Sequence, residues 1–369
     1  MKVRRCFTWL YAPVLGAVLV SSSMLAADEA FQKGTPDLKA AGSLAFAPEG
    51  VLLVGDSRSA AVFAIQTNDI SGEPQKVQYN VEGVNEQIAA LLGASPQSIL
   101  IEDLAVNPLS GNVYLSVSRG RGPDATPVIV RIDGAGKISE LPLKDVVYAK
   151  APLPNAPDAN ATDRRSQSLR LQTITDLEYV DGRVYVAGLS NEEFASNLRS
   201  IPYPFGEADR GASVEIFHGA HGRFETQSPV RTFTQYTIAG EPHLLAAYTC
   251  TPLVKFPVSQ LKPGEKLRGV TVAELGNRNR PLDMFVYQKD GQDYILMANS
   301  SRGVMKIPTA GIDQIEPIIQ PVADKAGLKY ETIDDLQGVV QLDRLNGERA
   351  VVLVQNENGR MDLRSIDLP

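Results

Sequence analysis

The chain is poor in the residues that usually announce chemistry. Its 369 residues include two cysteines, three histidines and one tryptophan. Cys6 and Trp9 fall in a leader-like first segment, so Cys250 stands alone once that segment is removed. An intramolecular disulfide is then impossible, and a chain of this size builds stability from its own core instead. No stretch reads Gly-x-x-x-x-Gly-Lys, Gly-x-Ser-x-Gly or His-Glu-x-x-His, which removes three well-marked chemistries. A Ser–His–Asp triad needs no sequence adjacency, but no serine stands out as its nucleophile; Ser118 sits in a plain strand end. Positive charge is also short, with 36 Lys plus Arg against 43 Asp plus Glu. Such a surface repels nucleic acid and anionic lipid.

Beyond the start, no apolar run is long enough to cross a bilayer. At the start, Lys2, Arg4 and Arg5 precede apolar residues 7–20, then Ser21, Ser22 and Ser23, then Ala26 and Ala27. That order is a secretory signal peptide, over residues 1–27, with residues 28–369 as one domain. Its removal takes three of the 36 basic residues and no acidic one, leaving 33 against 43 and a formal charge of −10. A periplasmic or secreted monomer follows as the expectation, with no membrane insertion after cleavage. Its partner would be a small molecule or a periplasmic protein.

The remaining sequence repeats itself. Short apolar runs bounded by Gly, Pro, Asn or Asp recur in threes, at roughly 50- to 70-residue intervals, which is how propeller blades read. Copies start near Ser43, Asp103, Asp176, Val230, Asp283 and Asp335. The predicted fold is all-β: one propeller of mostly four-stranded antiparallel sheets, with six blades, or seven if residues 103–176 hide another. Residues 37–42 are expected to complete the last blade. One short helix is expected over residues 85–92, and surface insertions over 151–168 and 206–211.

The phrases LAFAPEGVLLVGDSRSAAVFAI (44–65) and DLAVNPLSGNVYLSVSRG (103–120) resemble NHL-repeat propellers and the six-bladed gluconolactonase/senescence-marker family. That resemblance implies a divalent ion near the channel that polarises an ester or lactone carbonyl. It makes Asp176, Asp283 and Asp335 its ligands or base.

Three groups of residues are candidates for the site. Asp103, Asp176, Asp283 and Asp335 begin four blades, so their carboxylates would converge on one opening. Calcium would relieve their repulsion; alternatively some stay protonated, or each simply accepts backbone N–H bonds. A second group lies in the turn between second and third strands: Arg58, Arg119, Asn299 and Arg302. Arg forks there would bridge to the Asp ring or bind an anion. The third group is His218, His221 and Cys250, which the fold would bring to one face as copper or zinc ligands. Each also has a plain reading, the cysteine as a small core residue. Three functions stay open: a non-catalytic binding or accessory protein, a metal-dependent lactonase-like hydrolase, and a copper, zinc or redox accessory protein.

Overall fold

The computed structural model describes residues 30–250 and 252–369. The signal-peptide segment lies outside them. Among the described residues no helix is long and apolar enough to cross a membrane.

Six sheets of four to six strands form the six blades of a β-propeller. The inner strands are Leu44–Ala47, Ile99–Val106, Asp176–Val180, Thr232–Ile238, Pro281–Lys289 and Val339–Arg344, in blades one to six by chain order. Their neighbours read as near-continuous apolar runs because both sheet faces are covered. In Val51–Asp56 all six residues are buried. Alternation sorts the contacts: Leu52 and Val54 pack on Ala105, Tyr114 and Ile129 of blade two. Leu53 and Val51 pack on Val184, Val186 and Ile201 of blade three. Each such side chain contributes about 1.5–3 kcal/mol by leaving water.

Ring order departs from chain order. Inner strands touch in the sequence one, three, four, five, six, two and back to one. After four strands of blade one the chain crosses to blade six, where Asn80–Val81 pairs with Met361–Asp367. The helix Val84–Leu91 follows, then blade two. The chain next returns to blade one, where Val146–Pro152 pairs with Ala61–Gln66. Blade two is thereby seated between the last blade and the first. Asp69 fastens the crossing: its Oδ2 accepts from Ser110 (2.8 Å), Asn112 (2.9 Å) and Tyr114 (3.0 Å).

Two expectations are corrected here. Residues 103–176 hold no seventh blade, because their extra strand is the fourth strand of blade one. Residues 37–42 complete no blade; Asn80–Val81 closes the last one, and Gln32–Gly34 is the fifth strand of blade one. The helix, and the strand-free segment before Ala212, fall where expected.

Blade three is packed most tightly at Gly188. A Cβ there would lie 2.0 Å from the Thr173 carbonyl oxygen and 2.8 Å from that of Gln172. Backbone cannot yield as a side-chain tip does, so Gly188→Ala is expected to cost about 3 kcal/mol. Urea unfolding would show this as a lower midpoint at constant slope. An unchanged midpoint would contradict the packing described.

Candidate functional site

Asp103, Asp176 and Asp283 do converge at the channel, and each fastens two blades. Asp103 Oδ2 accepts the Leu44 N–H at 2.7 Å, joining blade two to blade one. Asp176 accepts from Phe233 and Leu177, both at 2.8 Å, joining blade three to four. Asp283 accepts from Leu342 at 3.0 Å and Met284 at 2.8 Å, joining blade five to six. A second tier lies two residues along the inner strands. Glu178 Oε2 takes the Gln235 N–H at 2.9 Å, and Asp343 takes those of Val106 (2.7 Å) and Arg344 (2.6 Å).

These carboxyls are half-exposed to the channel yet walled in by protein. Burial is the main reason these carboxyls are pushed up. It lifts Asp176 to about 7, Glu178 to about 8 and Asp343 to about 6 against the hydrogen bonds that favour charge. Asp103 and Asp283 also rise well above the usual range, through burial first and then repulsion from neighbouring aspartates.

The fourth expected member does not join them. Asp335 is exposed in the turn before Val339–Arg344. That strand carries a register shift between Val339 and Gln341, and its channel carboxylate is Asp343. Nor do the arginines bridge to the ring. Arg58 donates to the carbonyls of Gly122 and Pro123 in the adjoining turn. Arg119 is exposed and reaches the Leu92 carbonyl at 3.4 Å. Arg302 donates to the Asn277 carbonyl at 3.2 Å and approaches Asp324 at 3.8 Å. Asn299 is buried; its Oδ1 accepts from Ser301 and Arg302, and its amide donates to Asn279. These are turn-building contacts.

Above the ring, at the face where inner strands begin, lies a cavity of about 480 Å³. Lys39, Arg58, Arg231 and Arg280 line it, with Glu102 as its acid. Arg231 donates to Thr249 at 3.1 Å and Gln172 at 3.4 Å. Neither Arg231 nor Arg280 has a carboxylate partner among the described residues. Burial, and then the charge of Arg280, bring the Arg231 guanidinium down to about 10, so it stays cationic at neutral pH. Glu102 accepts from Ser118 at 2.8 Å, and burial raises its carboxyl. The cavity opens into a second space of about 960 Å³ lined by Leu38, Pro123, Leu171 and Arg170. The Arg170 Nε is buried with no partner.

His218 and His221 meet at the outer junction of blades three and four, with ring centroids 3.9 Å apart. Ala212–His218 and Arg223–Glu225 form a hairpin around them. Each Nδ1 faces Glu225, at 3.0 and 2.7 Å. Burial pushes the Glu225 carboxyl up, but the two imidazoles together bring it down to about 2. Cys250 is partly exposed in the turn after Glu241–Ala247, and Glu225 stands in the cluster instead of it.

The residues not foreseen are Glu178, Asp343, Arg231, Arg280, Glu225 and Glu274. Glu225 had a legible signal, lying four residues after His221 and seven after His218. Arg231 immediately precedes an inner strand, as Glu102 does the ring aspartate of blade two.

Fold and site together define a six-bladed β-propeller with a carboxyl-lined channel and a cationic mouth. No protein-family model matches the sequence, and no curated protein matches it either. Some solved structures resemble the chain at low similarity. The aldose sugar dehydrogenase from Streptomyces coelicolor, in its PQQ-bound form, is 12% identical, with 91% of this chain and 98% of that one covered and a TM-score of 0.35. A Trichoderma reesei carbohydrate-active enzyme of family AA12 is 10% identical, with 92% and 96% covered and a TM-score of 0.38. No function passes across likenesses of this kind.

Proposed function

We propose that this is an exported, non-catalytic binding propeller, and that it holds a small organic anion over the channel mouth. The supporting observation is the pair Arg231 and Arg280, two neighbouring cations without a carboxylate, facing one cavity. Like charges left together in an otherwise acidic protein are relieved by an anion, and low-dielectric walls focus their field. A fork such as guanidinium binds carboxylate with two parallel bonds. The apolar wall of Leu38, Pro123 and Leu171 suits a ligand with an apolar body behind its acid head.

The metal-dependent hydrolase is disfavoured at the ring, because its carboxylates are already engaged with backbone N–H groups of adjoining blades. Calcium would have to compete with those fasteners for oxygen.

Calorimetric titration with octanoate, succinate and inorganic phosphate tests the reading. At least one is expected to bind, with affinity falling about 10- to 100-fold in Arg231→Ala and in Arg280→Ala, the loss of a charge-assisted bond. Binding that ignores both substitutions, or none with any probe, would sink the proposal.

A further inference from the structure

We infer that His218, His221 and Glu225 are ligands of a divalent transition metal of the zinc class, held at the junction of blades three and four. This site is separate from the channel mouth and does not depend on how that mouth is read.

The donor atoms of the three residues lie within 4.8 Å of one another. Around tetrahedral zinc, with metal–nitrogen and metal–oxygen bonds of roughly 2.0–2.1 Å, neighbouring donors sit roughly 3.4 Å apart. The Nδ1–carboxylate separations of 3.0 and 2.7 Å need to widen only slightly. Two imidazoles favour a borderline-soft ion over calcium or magnesium. The side chains of His218 and Glu225 are only 4% and 10% exposed, whereas His221 is 46% exposed and leaves an entry path.

A second observation is independent of those distances. His218 Nε2 and Glu274 Oε2 are both buried without a partner. Glu274 is 1% exposed, and its other oxygen takes the Gly219 N–H. A Cβ at Gly219 would meet Glu274 Oε1 at 2.9 Å, so glycine permits this close approach. A histidine bound to metal through Nδ1 carries its proton on Nε2 and hands it to an acceptor, commonly a carboxylate. The two unpaired atoms are the donor and acceptor that metal binding calls for. Ser228 Oγ, 3.1 Å from Glu225 Oε2, and Arg223 Nε, 3.4 Å from Oε1, steady the carboxylate.

The test uses the full-length exported protein stripped with chelator and titrated with ZnCl2, then with CoCl2 for its visible spectrum. One ion per chain is expected, with sub-micromolar affinity and tetrahedral cobalt bands. His221→Ala should weaken binding by at least about 100-fold while unfolding like wild type in chelator. Glu274→Gln should weaken it about 10- to 100-fold. Cys250→Ser should leave affinity and spectrum unchanged. No uptake by wild type, uptake indifferent to His221→Ala, or a cobalt–sulfur band lost in Cys250→Ser would overturn the assignment. Because His221 is largely exposed, its variant remains decisive even if Glu274→Gln fails to fold.

Discussion

Asp283→Ala is expected to destabilise the propeller by about 2–4 kcal/mol, because two backbone N–H groups lose their acceptor. Those groups belong to Met284 and Leu342, both buried residues on adjoining inner strands. Each unsatisfied buried donor costs roughly 1–3 kcal/mol, and removing a carboxyl that repels Asp103 and Asp176 returns part of it. Asp283→Asn keeps one acceptor oxygen and should fall between wild type and the alanine variant. Urea unfolding with an unchanged slope is the check. If Asp283→Ala unfolds like wild type, the ring does not fasten blades, and its carboxyls are free for a ligand after all.

The second large effect is on pH. Five channel carboxyls are raised in the folded chain: Asp176 to about 7, Glu178 to about 8, Asp343 to about 6, and Asp103 and Asp283 well above their ordinary range. In the unfolded chain such groups titrate near about 4. Their contribution to stability is therefore complete below about pH 4 and is lost as pH rises through the folded values. Glu225, brought to about 2, works in the opposite sense and loses its contribution in strong acid. Thermal unfolding at constant ionic strength should thus be highest near about pH 4 and lower by about 5–10 °C at pH 8. A melting temperature that is flat or rising over that interval would show that the ring is ionised in the fold, or neutralised by a cation.

Much of this was legible as pattern. Asp followed by Leu or Met at the head of an alternating run located Asp103, Asp176 and Asp283, because a repeat places equivalent residues at equivalent depth. The same dipeptide misled at Asp335. There the phrase falls in an exposed turn; after the register shift, where blades two and five carry Asp103 and Asp283, blade six carries Gln341, and its channel carboxylate is Asp343 two residues on. Ring order could not be read, because it hangs on Asn80–Val81 and Val146–Pro152, short strands whose partners are distant in sequence. Arg58 and Arg302 lie in turns between second and third strands, Arg119 ends the second strand of blade two, and none of the three reaches the ring. A long flexible side chain takes a nearby carbonyl set by the tertiary fold, as Arg58 does at Gly122, and sequence spacing does not specify which one. Of the three expected metal ligands, Cys250 stays in its own turn, while the hairpin turns Glu225 back toward both imidazole rings.

On the proposed reading, an acidic layer of the channel holds the blades and its cationic mouth holds a ligand. Parallel calorimetric titrations of wild type, Asp283→Asn and the Arg231→Ala/Arg280→Ala double variant, each with octanoate and with calcium chloride, address it most directly. Octanoate heat in wild type and Asp283→Asn that vanishes in the double variant, with no calcium binding at the channel, is the expected result. Calcium binding lost in Asp283→Asn, with octanoate heat absent or unchanged by the arginine substitutions, would contradict it.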